Sequence, residues 1–390
     1  MITSLLAVVL LLGGTANVPA PEALGEIRAG GGPAVADSYL VVLDDRASGR
    51  PAVGPQALVS RYGGRVERVF AYALTGAEVT MSERAARRLA AHPAVAWVER
   101  NTIHTVAGFG QDPAPAAVAS WGLDRIDQRR LPLDGVFNPL GTGAGVRIYV
   151  YGTGVRFTHV DFGGRAISGR DVIDNDNDAS DCNGVSTHIA GTAAGTQYGV
   201  AKKATIVAVR NLTCAGSATT AQVVAGIDWV TGNAVKPAVA LLTLGGPVNT
   251  TFEAAVIRSI NSGLSYVVGA GASNSNACNF TPARIPAAVT TSVTDQMDRR
   301  ASFANFGSCV DLFAPGVSIT SAWFTSDTAT RILSGTSSAA AHVAGTAALL
   351  LANAPTMTPA QLSAALIARA TTGVVVNPGA GSPNRLVFAG

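Results

Sequence analysis

One stretch of the chain has the residue types that nucleophilic catalysis needs. It runs from Arg331 to Pro355 and reads RILSGTSSAAAHVAGTAALLLANAP. Small residues form a turn ending at Ser337, and an apolar, Ala-rich run at helical spacing follows. Ser337 is therefore either an N-cap that accepts a helix amide or a nucleophile whose own N–H helps to bind an oxyanion. On the residues of this stretch alone, the N-cap role is the favoured interpretation of Ser337.

The elements that must position Ser337 come from the second part of the chain, from Ser120 onward. Apolar β-type runs alternate there with helical patterns, which predicts an α/β fold. We expect a doubly wound, mostly parallel sheet with helices on both faces, and a site at the carboxyl ends of its strands. The predicted strands are 146–151, 205–209, 239–244 and 265–269, and the predicted helices are 187–194, 220–231, 252–262, 338–352 and 359–370.

The first part of the chain predicts a small α+β domain over residues 38–104. Its element order is βαββαβ, with Ser82 capping the second helix. The predicted strands are 38–43, 66–74, 77–79 and 95–98, and the predicted helices are 55–62 and 82–91. Gly and Pro are frequent in residues 17–37 and 105–119, which predicts two linkers.

Composition narrows the class of protein. The chain has 390 residues, so two unequal domains are expected, and its net charge of +3 with no basic stripe argues against nucleic acid as a partner. Residues 5–12 are apolar but too short to span a bilayer, so residues 1–16 predict a signal peptide, although the usual basic start is missing. Four cysteines without a CxxC pair indicate two disulfides in a secreted protein rather than a zinc site.

Residues 334–345, SGTSSAAAHVAG, resemble the SGTSMAxPHVAG nucleophile motif of the subtilases, with Ser337 at the nucleophile position. The resemblance extends from about Ser38 to the C-terminus and is closest to the proteinase K and aqualysin branch, through phrases such as SWGLDRIDQRRLPLDG and RASFANFGSCVDLFAPGVSITSAW. YLVVL and HPAVAWVERN resemble the family's inhibitory propeptide, which covers the groove and is cut off within 105–119. The resemblance implies a serine endopeptidase.

The sequence departs from the family at the residues that carry the chemistry. The catalytic aspartate position is Gly152 in YVYGTGV, and the histidine position is Val185 in DCNGVSTHIAGT, where Ser186 also replaces a glycine. The oxyanion asparagine position is Ala272 in VVGAGASN. A hydrogen, an isopropyl and a methyl group cannot orient an imidazole, accept a proton or bind an oxyanion. Only Ser337 of the catalytic set remains.

Neighbouring residues do not replace the missing groups. His188 lies one turn beyond Val185, too far for a hydrogen bond meant for that position, and His159 and His342 match family positions that are not the base. Asn274 is two residues past Ala272. In subtilisin, a member of the family, loss of the histidine alone lowers turnover by roughly 10⁶-fold, so hydrolysis near background is expected.

The resemblance also implies a peptide groove, disulfides and calcium sites. The groove rims are Gly216, Ser217 and Ala218 on one side and Thr243, Leu244 and Gly245 on the other, and the Ala218 methyl is expected to hinder strand addition. The family pairing joins Cys182 to Cys214 and Cys278 to Cys309. Structural Ca²⁺ is implied at three places: Asp311 with the carbonyls of Pro286 and Ala288; Asp124, Asp127, Gln128 and Asp134; and Asp171, Asp174, Asp176 and Asp178.

Two main hypotheses follow. The first is a secreted, monomeric subtilase-fold protein that is catalytically inactive or severely impaired, with a polypeptide in its groove and its own propeptide as partners and no membrane contact beyond the signal peptide. The alternative is an active endopeptidase of broad specificity that uses Ser337 with an unrecognised base. A third hypothesis is a deliberately inactivated sequence.

Overall fold

A computed structural model of the protein describes residues 23–44, 54–106 and 120–390. The predicted signal peptide and the cleavage region at 107–119 lie outside these ranges. The described residues form a small N-terminal body and a larger α/β body, and one strand of the first is hydrogen-bonded into the second.

The N-terminal body has the predicted βαββαβ order with one short strand in front. Ser82 caps the second helix by accepting from the Ala85 amide at 3.4 Å, as predicted. Its sheet runs β1-β5-β2-β4-β3, with β1 parallel to β5 and the other pairs antiparallel. The elements are β1 (Ile27–Arg28), β2 (Ala34–Leu43), α1 (Pro55–Arg61), β3 (Arg65–Phe70), β4 (Gly76–Thr80), α2 (Glu83–Ala90) and β5 (Val95–Val106).

Several boundaries differ from prediction in this body; strand β3, predicted over 66–74, ends at Phe70. Strand β1 and the start of β2 lie inside the predicted linker 17–37, where glycine allows close packing against the larger body: a Cβ on Gly31 would lie 2.7 Å from the Val248 carbonyl oxygen. Strand β5 continues eight residues past the predicted end at Val98, because its second half pairs with the larger body.

The larger body is the predicted doubly wound fold. A nine-stranded sheet has the order β18-β19-β15-β14-β12-β10-β6-β8-β7, and all neighbours are parallel except β18 and β19. Its elements are α3 (Trp121–Ile126), β6 (Arg147–Gly152), β7 (Ala166–Asp171), α4 (Val185–Ala194), β8 (Thr205–Arg210), β9 (Ser217–Thr219), α5 (Thr220–Asn233), β10 (Ala238–Leu242), β11 (Leu244–Pro247), α6 (Thr250–Asn261), β12 (Ser265–Gly269), β13 (Phe280–Thr281), β14 (Val289–Thr294), β15 (Leu312–Pro315), β16 (Ile319–Ala322), β17 (Thr330–Leu333), α7 (Thr336–Asn353), α8 (Pro359–Arg369), β18 (Thr371–Thr372) and β19 (Arg385–Leu386), with short 3₁₀ turns at Val160–Phe162 and Ala277–Asn279.

Alternating side chains of the central strand build a core on each face of this sheet. On β6, Ile148 and Val150 pack into the cluster that contains residues of α4, α7 and α8. Tyr149 and Tyr151 point the other way, into the cluster that contains residues of α5 and α6. A strand buried on both faces reads as a continuous apolar run, which is why the sequence pattern located β6, β8, β10 and β12.

All four cysteines lie in the described ranges and form two disulfides, Cys182–Cys214 and Cys278–Cys309. This is the pairing that the family resemblance implies. Among the described residues, no helix has both the length and the apolar composition that crossing a bilayer requires.

Candidate functional site

Ser337 lies at the first turn of α7, beyond the carboxyl ends of the parallel strands. Helix α7 begins at Thr336, its N-cap is Gly335, and no side chain caps it. The expectation that Ser337 is an N-cap is therefore wrong. Its hydroxyl is buried and donates to the Thr243 carbonyl at 3.3 Å. Among the described residues, the Thr243 carbonyl is the hydrogen-bond partner of the Ser337 hydroxyl, and no side-chain base is bonded to it.

Ser186 fills the space beside Gly152. A Cβ built on Gly152 would lie 2.0 Å from the Ser186 Oγ, so no larger side chain fits at residue 152 while this hydroxyl is in place. The Ser186 Oγ accepts from the Thr153 amide at 2.8 Å and is fully buried. The residues at 152 and 186 are thus complementary in volume, and the serine oxygen supplies a hydrogen-bond acceptor at this corner.

Val185 is the first residue of α4 and packs against the core cluster of α4 and α7. The helix start is held by Asp181, whose carboxylate accepts from the Gly184 amide at 2.9 Å and from the Thr187 amide at 3.0 Å. The first turn of α4 is therefore held by Asp181 and does not depend on a polar side chain at residue 185.

All five histidines of the chain lie in the described ranges, and within those ranges the Ser337 hydroxyl is hydrogen-bonded to the Thr243 carbonyl rather than to any of them. The His188 Nε2 donates to the Ile319 carbonyl at 2.9 Å, and the His342 Nδ1 donates to the Ser338 carbonyl at 2.9 Å. Burial lowers the pKa of each of these two imidazoles to about 4, so both are neutral core groups. His159 bonds to Asp161 and Ala329, and His92 accepts from Ala94.

The residue at the expected oxyanion position, Ala272, has a methyl side chain, which is no hydrogen-bond donor. Ala272 lines a cavity of about 180 Å³ together with the 269–273 loop, residues 280–283 and strand β11. Asn274 has its amide oxygen bonded to the Arg300 guanidinium at 3.1 Å, so it is held away from the groove. The Ser337 amide belongs to the first turn of α7, where backbone amides have no partner within the helix.

Strand β5 of the N-terminal body occupies the groove between the two predicted rims. On one side His104 pairs with Ala218 and Thr105 with Ser217, and on the other Val106 pairs with Leu244 and Thr105 with Gly245. The Val106 amide also donates to the Gly216 carbonyl at 2.9 Å. The Ala218 methyl, expected to hinder strand addition, does not prevent the pairing of residue 218 with His104, because strand pairing uses backbone atoms.

Two carboxylates that the sequence did not single out fasten the two bodies together. Glu99 accepts from the first amides of α6, Thr250 at 3.1 Å and Thr251 at 2.8 Å. Asp228 on α5 accepts from the Tyr72 and Ala73 amides at 2.6 Å each. Each carboxylate and the amides that donate to it are more than 150 residues apart in sequence, so no local sequence pattern predicts these hydrogen bonds. They are identified by the position of each carboxylate opposite backbone amides in the structure.

Each expected calcium site has a different environment. Burial raises the pKa of Asp311 to about 6, and one of its oxygens accepts from Thr290. At the second place, Asp127 has a buried oxygen without a partner, and burial together with Asp134 and Asp124 raises its pKa. In the third cluster, the Arg210 guanidinium already bridges Asp171 and Asp174, while Asp176 and Asp178 accept from turn amides.

In the described ranges, no three His, Cys, Asp or Glu side chains are gathered to hold a metal ion, so an ion at any of the three places would also draw on amide and carbonyl oxygens. At the second place, as at the third, carboxylates already accept from loop amides: Asp124 from Asp134 and Gly135, and Asp134 from Val136. The first two places differ from the third in containing a carboxyl whose pKa is raised by burial, which favours a cation there, whereas Arg210 already neutralises the third. The further donors that the resemblance implies are the Pro286 and Ala288 carbonyls for Asp311, and Gln128 for the second place. The Gln128 amide currently bonds within its own loop.

Comparison with known proteins agrees with this geometry. The subtilase family matches residues 143–387. An extracellular serine proteinase of Thermus sp. (strain Rt41A) is 46% identical over 374 residues, which is 91% of this chain and 90% of that protein. Alkaline serine exoprotease A of Vibrio alginolyticus is 44% identical over 365 residues, covering 91% of this chain and 68% of the other.

A solved structure, described as that of a cold adapted subtilisin-like serine proteinase, matches 70% of this chain and 99% of its own at 51% identity and a TM-score of 0.68. With the family match over residues 143–387 and these relatives, the chain belongs to the subtilase family of the proteinase K and aqualysin type.

Proposed function

We propose that this chain is an exported, monomeric subtilase that does not hydrolyse peptide bonds and whose groove is closed by its own N-terminal segment. The observation that carries the proposal is Ser337 with only the Thr243 carbonyl as partner, beside a corner where Ser186 fills the space at Gly152. A serine hydroxyl needs a base to become a nucleophile at neutral pH, and the five histidines have other partners.

The residues present still provide polypeptide binding and one oxyanion donor. The groove binds an extended polypeptide by strand addition on both rims, and the Ser337 amide provides one oxyanion donor. In the mechanism of the family, an aspartate orients a histidine, which takes the serine proton. With Gly152 and Val185 at those positions, the proton of the Ser337 hydroxyl has no side-chain acceptor. The chain therefore binds a polypeptide but does not attack its peptide bond.

The test uses a fluorophosphonate probe, which labels an activated serine. Because the chain's own strand covers the groove, a Val106→Asp variant is measured beside the parent to open it. We expect Ser337 to stay unlabelled in both, with an active subtilase as positive control. Labelling of the Val106→Asp variant that disappears in Val106→Asp/Ser337→Ala would establish an activated nucleophile and overturn the proposal.

We also propose that Ca²⁺ stabilises the fold through Asp311 and through Asp124, Asp127 and Asp134. Calcium supplies a positive charge where buried carboxylates have raised pKa values. A ligand at about 100 times its Kd stabilises by about 2.7 kcal/mol, so chelation is expected to lower the melting temperature by about 5–10 °C. Asp311→Asn should remove part of this difference, and Asp176→Asn, in the third cluster, should not. Equal melting curves with and without chelator would contradict the assignment.

A further inference from the structure

A second cavity lies on the larger body, beside the loop that joins β14 to β15. Its volume is about 520 Å³, which is within the range of small-molecule sites in proteins. It shares no lining residue with the cavity at Ala272 or with the two rims of the groove. Backbone hydrogen bonds hold one wall, because the Arg300 amide donates to the Val376 carbonyl at 3.0 Å and the Val376 amide donates to the Asp298 carbonyl at 2.8 Å. The cavity is therefore distinct from the groove.

The two arginines that line this cavity differ in their partners. Arg299 is paired with Asp295, whose carboxylate lies 2.8 Å from the arginine Nε. Among the described residues, no carboxylate is paired with Arg300. Its Nη1 donates to the Asn274 side-chain oxygen at 3.1 Å and to the Ala304 carbonyl, and its buried Nε has no partner. One positive charge at the cavity is therefore left without a negative one.

The surroundings of Arg300 favour an anion from outside the chain. Asp298, in the same loop, is already bonded to Arg125 at 2.7 Å. Burial lowers the pKa of Arg300, yet an arginine keeps its charge in proteins, and removing a charge from water is costly without a partner. The Phe306 ring, whose centroid lies 5.0 Å from the Arg300 Cζ, offers a weaker cation–π contact. A carboxylate is the acceptor whose charge and shape complement a guanidinium.

The rest of the lining suits an apolar body. Phe303, Val317 and Val376 contribute a phenyl and two isopropyl groups, and Ala301 contributes a methyl. The single charge of Arg300 matches a monocarboxylate better than a phosphate monoester, which has a charge of about −1.5 to −2 at pH 7.

We propose that this cavity binds a small organic monocarboxylate, with the carboxylate on Arg300 and the apolar part against Phe303, Val317 and Val376. The inference is independent of the proposed function, because none of these side chains belongs to the groove rims or to the corner at Gly152.

A ligand-detected NMR titration of the intact chain tests the proposal. The probe is 3-phenylpropanoate; 3-phenylpropanamide keeps its shape without the charge, and acetate keeps the charge without the ring. We expect saturable binding of the probe, with a Kd at least about tenfold weaker for each of the other two compounds. Arg300→Gln should weaken binding of the probe by a similar factor. Arg170→Gln is the matched control and should bind as the parent does, because Arg170 also bonds to neutral side chains, Asn175 and Asn177, but lies outside the cavity.

Because Arg300 also holds Asn274, a second variant, Val376→Asp, guards against misfolding. The Val376 side chain is 52% exposed, so its replacement should leave the fold intact, and the added carboxylate should prevent binding of the probe. Equal affinity for the acid and the amide would overturn the proposal, as would a parent-like Kd in Arg300→Gln or in Val376→Asp. If a glutamate-containing peptide binds at Arg300 and the free acid does not, the ligand is a polypeptide carboxylate and the small-molecule assignment is wrong.

Discussion

The corner around Ser337 and the groove beside it differ in the kind of group on which each depends. At the corner, Gly152, Val185 and Ala272 stand at the positions where the family resemblance places catalytic side chains, and the Ser186 hydroxyl fills the space beside Gly152. In the groove, both rims keep backbone pairing with a bound strand, even with alanine at residue 218. Hydrolysis depends on particular side chains, whereas strand addition depends on backbone amides and carbonyls. Binding can therefore outlast catalysis on the same scaffold.

The largest expected effect comes from rebuilding the corner. The variant Gly152→Asp/Val185→His/Ser186→Gly/Ala272→Asn restores the family residues and removes the Ser186 hydroxyl from the aspartate's space. Peptide hydrolysis is expected to rise by roughly 10⁵–10⁶-fold, measured with a chromogenic peptide. The same variant with Ser337→Ala is the control. A rebuilt protein that folds but stays inactive would mean that the corner differs from an active one in more than these residues.

Removing the carboxylate of Asp228 should weaken the attachment of the N-terminal body. Asp228→Ala leaves the Ala71, Tyr72 and Ala73 amides without their acceptor, and a loss of about 1–3 kcal/mol in unfolding free energy is expected. The measurement is denaturant unfolding. Glu67→Ala, which removes an exposed ion pair with Arg65, is the control and should cost less than about 1 kcal/mol. Equal effects of the two substitutions would contradict the role of Asp228.

The fit between residues 152 and 186 predicts coupling between them. Gly152→Ala places a Cβ against the Ser186 Oγ, and such overpacking costs about 1–3 kcal/mol. Adding Ser186→Gly should recover most of that loss, so the two changes would be strongly non-additive in thermal unfolding. Additive effects would show that the serine does not fill this space.

The smallest expected effect is a pH dependence confined to the groove. The pKa of His104 falls from an ordinary 6.5 to about 4 because the ring is buried. Protonation therefore opposes docking, and docking stability, complete above pH 6.5, is lost as the pH falls toward 4. The measurement is hydrogen–deuterium exchange of the rim amides in Ser217–Thr219 and Leu244–Pro247. The exchange rate of the parent, divided by that of His104→Gln at the same pH, should rise as the pH falls from 6.5 to 4. A constant ratio would contradict burial of a neutral histidine.

The larger fold was predictable because its central strands are apolar on both faces and its helices have clear periodicity, so β6, β8, β10 and β12 were located within a few residues. Strands β7 and β14 were missed. Ala166–Asp171 has an edge position and polar content, and Val289–Thr294 is rich in threonine. Short or polar strands are defined by their neighbours in the sheet rather than by their own pattern.

The candidate site was predictable residue by residue but not in its contacts. The motifs identified Ser337, Gly152, Val185 and Ala272. The contacts depend on distances between segments that are remote in sequence. This holds for the packing of Ser186 against Gly152, the burial of His104, and the amides that Glu99 and Asp228 accept from. One expectation failed for a geometric reason: Ser337 is one residue inside the helix rather than at its cap.

The central claim is that the loss of the base, and not of the nucleophile, ends catalysis. Intact mass spectrometry of the full chain, expressed with calcium beside a Ser337→Ala copy, tests it most directly, because the chain's own linker is the substrate and no external peptide has to enter the groove. We predict that both proteins keep the N-terminal body after any signal removal, with identical cleavage patterns. If only the parent loses the segment before about Ala116, Ser337 is an active nucleophile and the account is wrong.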